Sequence, residues 1–213
     1  MPTTQNLWLF ITTSLVLLII PGPAVLYIFA RSVEQGRLAG FVSVVGIHAA
    51  TFVHVVVAAL GLSAILASSA LAFSVIKYAG AAYLIWLGLK KILGRNQILD
   101  AAAGFKMQSH GRLIRDGFLI NLFNPKTAIF FLAFLPQFVD PNRGHVALQV
   151  ITLGMIYIIL GLVTDGSYAY AAGVTSSWLR RSHRFLTAER YVSGTLLIGL
   201  GVTAAFSGSR GKL

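Results

Sequence analysis

Two proline motifs interrupt apolar stretches long enough to cross a bilayer, and they fall at comparable places in the two halves of the chain. Pro21-Gly22-Pro23 lies in the charge-free run from Leu7 to Ala30. Asn124-Pro125-Lys126 lies in the run from Phe118 to Val139. Proline removes a backbone donor, and its ring clashes with the carbonyl four residues earlier. Hydrocarbon holds no water to repair that loss, so the broken backbone must face protein or a polar cavity. An interrupted hydrophobic segment in each half is the best sequence-level pointer to the substrate site of a secondary transporter. The pattern therefore predicts a small membrane transporter.

Composition points the same way. Of 213 residues, 56% are apolar and 11% charged, against about 25% charged in a soluble domain. The net charge of +11 would suit nucleic acid if it lay along one amphipathic face. Here the basic residues cluster between apolar runs, as in cytoplasmic loops, and no nucleic-acid partner is expected. With no cysteine there is no disulfide framework, thiolate metal site or thiol redox chemistry. The first apolar run is too long for a signal h-region and lacks a basic n-region, so it is expected to be a retained helix.

Six spans of about bilayer length can be drawn: 7–30, 38–67, 71–93, 118–139, 146–178 and 186–206. Together they form one transmembrane domain covering residues 1–213. The expected fold is an all-α integral membrane protein of six transmembrane helices, the first and fourth broken by proline. The connections after spans one, three and five carry twelve lysines and arginines. The opposite side carries Arg143, Arg210 and Lys212. That bias places both termini outside the cytoplasm in a multi-pass protein, and a bacterial-type inner (plasma) membrane is the expected location. Each half opens with a broken span and closes with a similar run, Leu84-Ile85-Trp86-Leu87-Gly88 and Leu197-Ile198-Gly199-Leu200-Gly201. Three spans per half is an odd number, so the two repeats would be inverted.

Along nearly its whole length the chain resembles the LysE/RhtB amino-acid exporters. The N-terminal part of the match is Pro21-Gly22-Pro23, Arg31-Ser32, Gln35-Gly36-Arg37, Gly40, Gly46-Ile47, His54 and Ala59-Leu60-Gly61-Leu62. The run from Lys77 to Gly88 matches the third span of that family. Asn121 to Lys126, continuing through Phe134-Leu135-Pro136-Gln137-Phe138-Val139, matches the fourth. Asp165, Ser193-Gly194 and Ile198 to Gly201 match the last two. The resemblance implies export of amino acids or close derivatives (homoserine, homoserine lactone, threonine or other small neutral or basic amino acids), driven by proton antiport. It implies no enzymatic activity and no cofactor. The expected partners are the amino-acid substrate, protons and the lipid bilayer, with a homodimer left open. Two departures stand out: Ala24 occupies a position where members carry Asp or Asn, and His48 and Ala50 replace smaller residues in the second span.

The residues themselves supply the candidate site: Pro21, Gly22, Pro23, His54, Asn124, Pro125, Lys126 and Asp165. At 1.5 Å rise per residue both breaks fall near the middle of a hydrocarbon core about 30 Å thick. An unwound turn there frees N–H groups for a carboxylate and C=O groups for an ammonium, the combination a zwitterion needs. The alternative is a packing kink. Asp165 within the fifth span could take the substrate ammonium, carry a proton or neutralise Lys126. A structural ion pair is its other role. His54 could shuttle a proton or sit satisfied in the interior. His48 lies six residues away, about 120° around the helix, so the two cannot share a metal, and no metal site is expected. Lys77 is near enough to a span end to snorkel. Gly36, Gly40, Gly46, Gly61, Gly80 and Gly88 read as close-packing positions. A ring of like charges would favour a channel; isolated charges beside helix breaks favour alternating access, leaving a channel or a structural membrane protein as the alternative function.

Overall fold

The computed structural model describes residues 4–68, 70–93 and 107–179, together with Tyr191, Thr195, Ile198, Gly199, Val202 and Ala205. Among these the regular structure is helical and no strand occurs. In chain order the α-helices are α1 (Thr4–Ile19), α2 (Pro23–Gln35), α3 (Arg37–Ser68), α4 (Ala70–Leu93), α5 (His110–Leu122), α6 (Pro125–Ile129) and α7 (Val146–Leu179). A π-helical turn, Phe130–Phe134, and a 3₁₀ turn, Leu135–Phe138, carry α6 onward.

Two helical stretches are long and apolar enough to cross a membrane unbroken, Arg37–Gly61 within α3 and Val146–Gly173 within α7. Their outer faces are not polar: Phe52, Leu60, Leu162 and Val163 are exposed. A helix apolar on its exposed side as well as its packed side suits hydrocarbon, not water. The other two candidates are bent pairs. α1 and α2 meet at 52°, and α5 meets the segment Pro125–Phe138 at 50°. The chain is an all-α, multi-pass membrane protein, with both expected proline breaks present as bends.

The helix carrying the second break starts earlier than hydropathy suggests. The expected fourth span opens at residue 118, but α5 begins at His110 and takes in Arg112, Arg115 and Asp116. Its buried positions Leu113, Gly117 and Asn121 are spaced by four, one stripe of an amphipathic helix. A hydropathy window averages that stripe with the charged face and misses it. The arms on the two breaks then have equal length, 13 residues each in α2 and α5. The expected span 186–206 lies mostly outside the described residues, as do the loop 180–190 and the side chain of Lys77.

α3 sits at the centre, packed against α7, α5 and α2. Glycine sets how closely: a Cβ at Gly46 would fall 2.1 Å from the Ile114 carbonyl oxygen of α5. Gly36 differs from its expected packing role. Nothing lies within 4 Å of where its Cβ would be, but its φ of +85° is one that L-residues rarely adopt, and it turns the chain from α2 into α3. On one side of the breaks an aromatic cluster fills the core. Phe130 stacks on Tyr157 at 4.4 Å, and Phe10 meets Phe138 edge-on at 5.3 Å. On the other side α2 is tied to the start of α5. The Tyr27 hydroxyl donates to the Leu113 carbonyl (3.3 Å), and Gln35 and Gln108 exchange two side-chain–backbone bonds of 3.0 and 3.1 Å.

Candidate substrate site

A proline at position i leaves the carbonyl of residue i−4 without its helical donor. Pro23 orphans Ile19, and the structure shows the Tyr168 hydroxyl of α7 donating to the Ile19 oxygen at 2.6 Å. Pro21 orphans Leu17, whose oxygen accepts from the Ile20 amide at 3.2 Å in a tightened last turn. The next carbonyl, Ile20, takes the Lys126 ammonium at 2.5 Å. Pro125 orphans Asn121, whose oxygen accepts from the Asn124 amide at 3.1 Å and lies 3.2 Å from His54 Nε2. With Nε2 protonated, His54 is a donor to that carbonyl. Every carbonyl freed by these prolines has been met by a specific group, as a membrane interior demands.

The second break is organised by Asn121. Its Nδ2 donates to the Ile47 carbonyl and to Thr51 Oγ1, both at 2.9 Å, fixing α5 to α3. Its Oδ1 accepts from Thr127 Oγ1 at 2.9 Å and Asn124 Nδ2 at 3.3 Å. Asn124 in turn caps α6, its Oδ1 accepting from the Lys126 amide at 3.1 Å. Asparagine is a favoured N-cap because its side-chain oxygen replaces the missing helical acceptor.

Both breaks open on one cavity of about 30 Å³. Its polar wall is made by His48, Thr51, Asn121, Asn124, Lys126, Thr127 and Asp165, with Gly22 at the first break. Leu18, Ala24, Val25, Ile47 and Tyr157 form the apolar part. Of the residues expected from sequence, Gly22, Asn124, Lys126 and Asp165 therefore meet there. Pro21, Pro23 and Pro125 are absent from the wall and act on it through the backbone they interrupt. His54 is also outside it, stacked on Phe131 with ring centroids 6.0 Å apart. Lys126 crosses from the second break to the first, and a Cβ on Gly22 would come within 3.3 Å of its Cδ.

His48 was read from sequence as a packing substitution, yet it lines the cavity. Its Nε2 lies 3.1 Å from Asp165 Oδ2, and both side chains are buried. Gly161 on α7 makes the space, since a Cβ there would sit 2.3 Å from His48 Cε1. Lys126 and Asp165, the second of which could have neutralised the first, face the same cavity here, Lys126 on the Ile20 carbonyl and Asp165 on His48. Asn121, Thr51, Thr127 and Tyr168 were also missed as site residues. One signal for Asn121 and for the orphan at Ile19 was available: counting four back from each proline names them.

Broken helices whose freed backbone meets buried charges at one internal cavity are the build of a membrane transport protein. The chain belongs to the LysE type translocator family, whose profile matches residues 15–208. A homoserine/homoserine lactone efflux protein of Salmonella typhimurium is 33% identical over 196 residues, covering 92% of this chain and 94% of that protein. An uncharacterized membrane protein of Vibrio cholerae is 30% identical over 201 residues, covering 94% and 97%. Another, of Bacillus subtilis, is 29% identical over 211 residues, covering 95% and 100%. No solved structure matches the chain.

Proposed function

We propose that this protein exports small amino acids of the homoserine class, threonine among them, together with the derivative homoserine lactone, from the cytoplasm by proton antiport. The observation that carries the proposal is the convergence of both helix breaks on one cavity that also holds a buried cation and a buried anion. The first turn of α2 offers the Ala24 and Val25 amides at a positive dipole end, where a substrate carboxylate is stabilised. Lys126 adds a full charge beside it. The substrate ammonium suits Asp165 and the Ile20 carbonyl at the negative end of α1. The homoserine side chain is left to Thr51 and Thr127, whose hydroxyl oxygens keep lone pairs that can accept from its hydroxyl.

A cavity of about 30 Å³ has room for one or two waters and not for an amino acid. The structure is thus a contracted state, and loading requires the arms to part. The tie between α2 and the start of α5, through Tyr27, Gln35 and Gln108, closes the side toward the basic loops. In the full cycle we place both termini outside the cytoplasm, six spans in the inner membrane, and the two halves as inverted repeats rocking about the breaks. Uptake of labelled amino acids into everted membrane vesicles tests the assignment. Homoserine accumulation that collapses with a protonophore is expected. A vesicle panel in which this chain moves no amino acid above the empty-vector control refutes it.

A further inference from the structure

We propose that the His48–Asp165 pair is the proton-binding site of the exporter, and that a proton and the substrate ammonium compete for Asp165. The proposal rests on the export reading above and assigns its coupling to named atoms. Asp165 as a carboxylate can only accept, so the 3.1 Å contact requires the hydrogen on His48 Nε2. That leaves the lone pair on Nδ1, which is buried and has no hydrogen-bond partner among the described residues. That unoccupied lone pair is where this imidazole can take a proton. A proton adds to Nδ1 to give an imidazolium against the carboxylate, and leaves from the same atom, with no other bond made or broken.

The surroundings limit what else could titrate. Among the cavity-lining residues, α6 contributes Lys126, α7 contributes Tyr157 beside Asp165, and α1, α2 and α5 contribute no titratable side chain. His54 is turned away onto Phe131. With His48 neutral, Lys126 and Asp165 cancel, and the carboxylate is available to an incoming ammonium. With His48 protonated the site carries one excess positive charge and Asp165 is already neutralised. An ammonium at Asp165 would then be a second cation on one buried carboxylate, and its repulsion by the imidazolium sets the two occupants against each other. Mutual exclusion at a single site, with one occupant on each stroke, yields antiport.

The test uses the full-length protein in proteoliposomes with homoserine as probe. An entrapped pH indicator reads protons moved, and labelled homoserine reads substrate carried. In wild type the two fluxes are expected to be coupled. In H48Q and D165N the protons moved per homoserine should fall at least tenfold, whatever the residual substrate rate. An unchanged ratio in either variant overturns the proposal. Where a variant does not fold, wild-type binding decides: homoserine affinity should weaken about tenfold per pH unit on the acid side, as for one competing proton, and a flat profile overturns it. Wild-type homoserine flux without proton movement removes this inference and leaves the export reading standing. Absence of any amino-acid flux in wild type removes both.

Discussion

Asn121→Ala should cost more stability than any single hydrogen bond accounts for, because one side chain holds four partners on three segments. It would lose the donations to Ile47 and Thr51 on α3 and the acceptances from Asn124 and Thr127 at the break. At about 0.6 kcal/mol per bond, the mean for membrane interiors, the four amount to about 2.4 kcal/mol. At about 1.5 kcal/mol each, the upper range for buried bonds, they reach about 6 kcal/mol. All four partners are buried, and Asn124 and Thr127 would keep donors that have lost their acceptor, which favours the upper half of that range. Thr127→Val removes one of the same bonds with little change of shape, so its cost should be about 0.6–1.5 kcal/mol. Equilibrium unfolding in detergent, with the N121A/T127V double variant completing a cycle, measures both. A loss below about 1 kcal/mol for Asn121→Ala, or equal losses for the two single variants, would refute Asn121 as the organiser of the break.

Three further outcomes are expected. Gly161→Ala places a Cβ 2.3 Å from His48 Cε1, so it should displace the imidazole, cost about 1–3 kcal/mol and slow homoserine efflux sharply; wild-type efflux from a folded variant would show the His48 position to be dispensable. Pro23→Ala combined with Pro125→Ala restores the amides that Ile19 and Asn121 lack and lets both helices close, so export should collapse while the protein still reaches the membrane. Normal export by that double variant at matched levels would reduce the breaks to packing kinks. Reporter fusions at Lys91, Arg143 and Lys212 should show cytoplasmic activity at Lys91 alone, and the reverse result at Lys91 and Lys212 rejects outward termini.

The breaks were legible because proline acts on the backbone through a fixed rule, independent of what packs nearby. Hydropathy likewise located α3 within a residue or two of its ends. It failed at His110–Asp116, where a charged face conceals a buried stripe of Leu113, Gly117 and Asn121. Within the site, Gly22, Asn124, Lys126 and Asp165 could be named as motif or intramembrane-charge residues. His48 could not be ranked above His54 from spacing, which says that the two point apart but not which one faces the cavity. That choice depends on Gly161, 113 positions along the sequence, which opens the space for one imidazole. Tyr168 was equally hidden, since its hydroxyl serves a carbonyl in a helix 149 residues away.

The crossed repair of the two breaks has a consequence for how the protein is made. The carbonyls of Ile19 and Ile20 are served by Tyr168 and Lys126, both supplied by the C-terminal half. The carbonyl of Asn121 faces His54 from the N-terminal half. When the first helices leave the ribosome, the groups that complete α1 have not yet been synthesised, and hydrocarbon offers no substitute donor. The early helices must therefore wait in a hydrated or chaperoned setting, such as the insertion machinery, until α6 and α7 arrive. The first half of the chain borrows the donors for Ile19 and Ile20 from the second, whereas the second meets Asn121 with its own Asn124 amide as well as with His54.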